Sequence, residues 1–153
     1  MRKEIVSLLT IALFMGCITG GMVVNNGNKV LIEFTATVQN HTFDTGTISF
    51  IVGEHSVLQG LEAGVISMKL GEEKTFTVPP SLAYGKYDES QVIGFDREIF
   101  RDPEPELNDE VKANNMDGRI INISDEFVFV DFNHLLAGQD IIFNVKIMTI
   151  EKI

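Results

Sequence analysis

Apolar and polar residues alternate along most of this chain, with one helical interruption. Lys29 to Gln39 (KVLIEFTATVQ) places Val30, Ile32, Phe34, Ala36 and Val38 on one face of a half-buried strand. Asn40 to Gly46 reads as a turn around Phe43, and Thr47 to Val52 as a second strand. Between Glu54 and Leu70 the period changes. Val57, Leu61, Val65 and Met68 recur at helical spacing, and Gly60 and Gly64 limit the segment to a short helix. Glu73 to Val78 alternates again and is stopped by Pro79 and Pro80. Ser81 to Tyr87 is a turn holding both tyrosines. Gly118 to Phe132 offers two short strands, RIINI and EFVFVDF, joined at Ser124-Asp125. Gln139 to Ile150 is a last strand with Ile141, Phe143, Val145 and Ile147 on one face.

Charge divides the chain where the pattern does. The formal charge is −10, with 12 Lys+Arg against 22 Asp+Glu. From Asp88 to Asp131 there are 13 acidic and 4 basic residues, so almost all of the excess lies in this middle stretch. Pro103 and Pro105 exclude a helix across that part of it. The hydrophobic fraction of 44% supports a packed core in 153 residues. Nucleic acid is excluded as a partner, because no lysine or arginine cluster is present to neutralise phosphates. Cys17 is the single cysteine, so no intrachain disulfide forms. His41, His55 and His134 are dispersed, no Gly-rich nucleotide loop occurs, and neither a metal nor a cofactor is expected. Asn40-His41-Thr42 has the form of an N-glycosylation acceptor, which has meaning only in an exported chain.

The N-terminus reads as a targeting segment. Arg2 and Lys3 precede the apolar run Ile5 to Met15, which has the length of a signal-peptide core and is short for a membrane span. LFMGC, ending at Cys17, resembles a lipoprotein processing site, making Cys17 a candidate for lipidation. The expected divisions are a signal at 1–17, a Gly/Asn-rich linker at 18–28, and a folded remainder. The expected location is the cell envelope or the extracytoplasmic face of a membrane, with the N-terminus as the tether.

Three motifs in order carry a resemblance. VLQGLEAGVISMKLGEEKTFTVPPSLAYGKYD (Val57 to Asp88), FDTG (Phe43 to Gly46) and NHLLAGQDIIFNV (Asn133 to Val145) resemble FK506-binding-type peptidyl-prolyl cis/trans isomerases, in particular the SlyD-like subfamily. The resemblance implies an α+β fold in which an antiparallel sheet wraps a short helix. Its isomerase part is formed by 29–87 and 133–153, and a small, mostly β domain for client binding is inserted at 88–132. It also implies the roles of particular residues. Asp44, Tyr84 and Phe143 match catalytic positions. Phe34, Phe43, Ile48, Phe50 and Leu61 match the pocket, and Val57 and Leu58 match the pair whose backbone meets substrate carbonyls. Leu61 stands where many members have tryptophan, as is common in the SlyD-like group.

The chemistry asked of those residues is modest. Rotation about an Xaa-Pro bond faces a barrier of about 18–20 kcal/mol and needs no covalent intermediate. An apolar pocket favours the twisted, less dipolar amide and grips the proline ring. Phe34, Phe50, Leu61 and Phe143 suit that task, Tyr84 can donate to a carbonyl, and Asp44 can shape the field. Read without the resemblance, the three phenylalanines are ordinary inward strand residues and Asp44 is a turn carboxylate. In the insert, Ile93, Phe95, Ile99 and Phe100 are candidate client contacts, with the competing reading that they fill a small core. The partners implied are unfolded or proline-containing polypeptides. The alternative function is a binding module or holdase without turnover.

Overall fold

The computed structural model describes residues 21–113 and 115–153, so the expectations for the signal segment and for Cys17 lie outside the described residues. Two four-stranded antiparallel sheets make up the molecule. The first has the order β2-β1-β8-β3, from β1 (Asn28–Val38), β2 (His41–Ile51), β3 (Glu73–Val78) and β8 (Ile141–Lys152). The second has the order β4-β7-β6-β5, from β4 (Val92–Asp96), β5 (Glu110–Ala113), β6 (Met116–Ile123) and β7 (Phe127–Asp131). A seven-residue helix, α1 (Gln59–Val65), lies between β2 and β3 in sequence. The expected class, an antiparallel sheet with a short helix and a β-rich insert, is the class observed.

Alternation in the sequence becomes alternation in burial. Val30, Ile32, Ala36 and Val38 of β1 are buried, as are Ile141, Phe143, Val145 and Ile147 of β8. β1 and β8 pair along their whole length, and the inward faces of both strands line one core. Leu61, Val65 and Met68 bring α1 and its exit turn onto that core. One strand, β2, exceeds expectation. The segment read as a turn at Asn40 to Gly46 is mostly strand. The turn is confined to Gln39 and Asn40, both left-handed (φ 49° and 65°), and pairing resumes at Val38–His41. That geometry is the one that joins two right-twisted strands in a tight hairpin. Within it the register shifts so that Thr37 faces Thr42 and Ala36 faces Asp44, leaving Phe43 as the extra residue of a bulge.

The linker expectation for 18–28 is corrected from Met22 onward. Val24 is fully buried in the core, its N–H donates to the Met68 carbonyl at 2.8 Å, and its carbonyl accepts from Ser67 N–H at 2.9 Å. Leu70 N–H donates to Met22 at 3.0 Å. Glycine and asparagine around it suggested free chain, but Val24 gains by burying its side chain in the core, while Met22 and Val23 stay exposed and only their backbone is tied.

The glycines of α1 are packing devices. A Cβ on Gly60 would collide with Val78, and one on Gly64 with the ring of Phe76, so the helix lies directly against β3. The same glycines that lower helix propensity therefore set the distance between helix and sheet. Alanine at position 64 separates the two effects. Gly64→Ala should gain about 0.8–1 kcal/mol of propensity and lose about 1–3 kcal/mol to overpacking. Net destabilisation in urea unfolding is the expected result, and a raised midpoint would mean that Phe76 gives way freely.

Candidate functional site

Paired strands place their opposed side chains on the same side of a sheet. Opposite the buried Val30, Ile32 and Ala36 of β1 stand Phe50, Ile48 and Asp44 of β2, so all three project from the core face. Phe34 and Phe143 project there too, with ring centroids 6.3 Å apart. Phe76 of β3, directly across from Phe143, stacks on it at 6.1 Å. The result is a row of three aromatic rings across β1, β8 and β3. Phe143 is nearly closed to solvent, and Phe34 is only partly covered. Leu61 of α1 and Phe50 are buried in the same cluster, and Val57, Leu58, Leu82, Ala83, Tyr84 and Leu136 pack against its rim.

Of the residues expected in a pocket, the structure gathers Phe34, Phe50, Val57, Leu58, Leu61, Tyr84 and Phe143 on this one cluster. Phe43 and Ile48 are exposed at 40% and 36% and form its open flank on the edge strand β2. Asp44 is exposed, one position beyond the bulged Phe43, with its carboxylate on the core side of the sheet edge.

Tyr84 has a partner that sequence reasoning missed. Its ring stacks on His134 with centroids 4.1 Å apart and planes within 3°. Leu136 N–H donates to His134 Nδ1 at 3.1 Å, so the ring presents its lone pair there and carries its proton on Nε2. Phe76 was legible as an inward strand residue, but its contact with Phe143 was not. The only available signal for His134 was its place in the Asn-His motif.

His134 follows the point where the chain returns from the second sheet, and the two crossings are tied there. Asn133 uses its side-chain amide as a piece of strand: Oδ1 accepts from Asp88 N–H and Nδ2 donates to the Asp88 carbonyl, each at 2.9 Å. Nδ2 also reaches Asp131 Oδ1 at 2.7 Å. Phe132 N–H to Gln91 O, 3.1 Å, and Gly138 N–H to Gly85 O, 2.9 Å, extend the zip on either side. Beside it lies a cleft of about 930 Å³. Its walls include Tyr87, His134 and Leu135 on one side and Met116, Ile121 and Phe132 on the other. The cleft adjoins the aromatic cluster through His134, which lines it and stacks on Tyr84.

Within the second sheet the expected client residues divide. Phe95 and Phe100 meet edge to face at 6.2 Å, and Phe95 meets Phe132 at the same distance. Both pack on Ile120, Val128 and Val130 and fill the insert's own core. This is the arrangement of the competing reading, in which they fill a small core, while both rings stay partly exposed. Ile93 and Ile99 remain exposed, at 39% and 70%.

An FKBP-type peptidyl-prolyl cis-trans isomerase model matches residues 20–148. The chain belongs to that family. The short-type peptidyl-prolyl cis-trans isomerase of Methanocaldococcus jannaschii is 39% identical over 106 residues, 68% of this chain and 68% of the relative. The FKBP-type 16 kDa peptidyl-prolyl cis-trans isomerase of Escherichia coli is 31% identical over 140 residues, 84% of this chain and 94% of the relative. The SlyD isomerase of Aeromonas hydrophila is 35% identical over 127 residues, 77% of this chain and 60% of the relative. The protein is accordingly an FKBP-type, SlyD-like isomerase, and its chemistry is rotation about Xaa-Pro bonds.

Two shifted titrations mark the junction of this isomerase. Tyr87 is raised above 10.0 by loss of hydration, by a hydrogen bond to Asp131, and by the negative charge of Asp131 and Glu89. Asp88 is held below 3.8, first by the Ser90 hydroxyl and then by the Ser90 amide, which bond to its Oδ1 at 2.6 and 2.9 Å. Because the folded value is depressed, the stabilisation from this turn is present above the unfolded value and is lost as pH falls through the folded one. Ser90→Ala should therefore raise the Asp88 titration toward 3.8 in carboxyl NMR. An unmoved titration would assign the shift to the backbone amide alone.

Proposed function

We propose that this isomerase accelerates Xaa-Pro rotation in exported or surface polypeptides, and that residues 88–132 form an inserted domain that holds unfolded segments of those clients. The observation that carries the reading is the adjacency of a partly covered aromatic row to an open, partly apolar cleft, with Tyr84 and His134 stacked between them.

In this mechanism the proline ring lies on Phe34 and Phe143, with Leu61 as the floor. Tyr84 donates to a substrate carbonyl and the main chain at Val57 and Leu58 meets the neighbouring ones. The aromatic surface withdraws the amide from water, which favours the twisted state that has lost resonance and part of its dipole. Asp44, at the mouth, acts through its field on the amide as charge moves between oxygen and nitrogen. It is not needed as a base, since no proton leaves carbon or nitrogen. The insert supplies local concentration. A chain held weakly along Met116 and Ile121 can present successive prolines to the pocket as an intramolecular event. Ile93 and Ile99 offer further apolar contacts on the same domain. The acidic excess between Asp88 and Asp131 keeps such surfaces soluble and favours basic clients. Export rests on the N-terminal pattern of charge, apolar core and LFMGC, which would tether the enzyme outside the cytoplasm where secreted chains fold.

Two experiments test the reading. Tyr84→Phe should lower kcat/KM for a short Xaa-Pro peptide roughly 5- to 30-fold, the cost of one carbonyl hydrogen bond, in NMR exchange measurements. A rate equal to the parent's would remove Tyr84 from the mechanism. The crossings at Asp88 and Asn133 touch, so a short Gly-Ser link can replace 89–131. That deletion should leave the peptide rate within about twofold and slow catalysis of proline-limited refolding by at least about tenfold, given the effective concentrations that tethering provides. Equal losses on both substrates would refute a holding role.

A further inference from the structure

The aromatic row and Tyr84 leave one ionisable group without a task. Glu62 of α1 is 4% exposed, the one charged side chain in the buried class among the described residues. A buried carboxylate is retained only where hydrogen bonds replace its lost hydration. Its Oε1 accepts from Gly53 N–H at 2.6 Å and, more weakly, from His55 N–H at 3.4 Å. Its Oε2 accepts from His55 Nδ1–H at 2.9 Å. Every one of these partners lies in the loop between β2 and α1, the loop that leads into Val57 and Leu58.

We infer that Glu62 is a positioning residue for the isomerase reaction: its carboxylate fixes the loop at 53–58 and thereby sets where the Val57 and Leu58 main chain meets substrate. The inference rests on the pocket proposed above. Its physical ground is the strain of the loop. Gly53 has φ 100° and His55 has φ 56°, so two of three successive residues are left-handed and one of them carries a side chain. Such conformations persist where the surroundings over-determine them. Alternating backbone of this kind turns successive N–H groups toward one point and creates a concavity that binds an anion. Here the anion is internal.

Glu62 also grips the far end of the same loop. Its own N–H donates to the Leu58 carbonyl at 3.0 Å, closing the first turn of α1. Leu58, the N-cap, has no side chain that could accept from the first free N–H groups of the helix. On the opposite side, Asn26 sits against Gly53 so closely that a Cβ there would overlap its carboxamide. The loop is thus held between the docked N-terminal segment and one carboxylate. Backbone that receives a substrate carbonyl must be placed within a fraction of an ångström for binding energy to act on the rotating bond.

Glu62→Gln tests the charge at constant shape. One amide oxygen can still face Gly53, but the amide nitrogen now faces His55 Nδ1, so the charge-assisted bond is lost and the imidazole can pair only by moving its proton to Nε2. The expected result is a roughly tenfold lower kcat/KM on a short Xaa-Pro peptide, expressed mainly in KM, as for a lost charged hydrogen bond. Faster amide exchange at Gly53 and His55 and shifted Val57 and Leu58 amide resonances should accompany it. His55→Ala is the companion variant. Its side chain is 69% exposed, so its removal spares the core. It should lower kcat/KM about two- to fourfold, through the loss of one Glu62 partner, with the same resonances moving. A folded Glu62→Gln protein with the parent's KM overturns the inference. Should that variant not fold, an unchanged KM and unchanged loop exchange in His55→Ala overturn it. Peptide titration of the parent protein separates this from the pocket itself. If peptide leaves Val57 and Leu58 unperturbed, the pocket assignment fails, whatever Glu62 does.

Discussion

The pairing of β1 with β8 is the constraint on which the rest depends. These two strands form the centre of the first sheet, and they come from opposite ends of the folded chain. Every other element of the isomerase body hangs from them: β2 on one side, β3 on the other, and α1 across the inward face they share. Such a non-local pair must close a long loop before it gains anything, and the cost of closure grows only slowly with loop length. This is why 44 residues can lie between Asp88 and Asn133 without weakening the sheet, provided that the two ends meet. The Asn133 amide, bonded to both backbone groups of Asp88, makes them meet.

From that closure follows the division of labour between two cores. The first core is large, and its aromatic row is left partly uncovered because β2 is an edge strand with Phe43, Asp44 and Ile48 in the open. The second is small. Ile120, Val128, Val130 and Phe132 are its buried members, with Phe95, Phe100, Val111, Ala113 and Ile123 packed partly buried around them. Around this sheet Ile93, Ile99, Met116, Ile121 and the ring of Phe127 stay exposed, and these are the apolar groups that the proposed holding role would use. Weak, adaptable contacts are what a holding surface needs if it is to release what it holds. Flexible methionine suits irregular partners better than a rigid ring does.

Much of this was legible from period and punctuation. Alternation located β1, β3 and β8, and helical spacing located the segment of α1, because each element buries one face against a single core. The hairpin at Gln39-Asn40 was read too broadly, since Asn-His-Thr-Phe-Asp-Thr-Gly has turn-forming residues while its position is fixed by pairing with β1. β4 and β5 were not foreseen as strands. They are short, acidic at their ends, and acquire strand geometry only from β7 and β6. The pocket was legible as a set of motif positions, but its contacts were not. The stacking of Tyr84 on His134 joins residues 50 apart in sequence, across the insert, where no local pattern extends. Glu62 was hidden for a different reason: in sequence it is an acidic residue in the first turn of a helix, where a solvated carboxylate is ordinary.

The two carboxylates nearest the pocket illustrate how burial assigns roles that composition cannot. Asp44 and Glu62 bear the same functional group. Asp44 stands at the open edge of a sheet, where water screens its field, so it can act only on a substrate that comes close and displaces that water. Glu62 is enclosed, and its field is spent on two backbone amides and one imidazole that never leave. An exposed carboxylate therefore modulates what arrives, and a buried one determines the shape into which it arrives. A reaction that makes and breaks no covalent bond depends on shape more than on reactive groups. The helix that bears Glu62 lies close against β3 because Gly60 and Gly64 permit it. The loop geometry at Val57 thus follows, through Glu62, from the absence of two side chains on the opposite face of a two-turn helix.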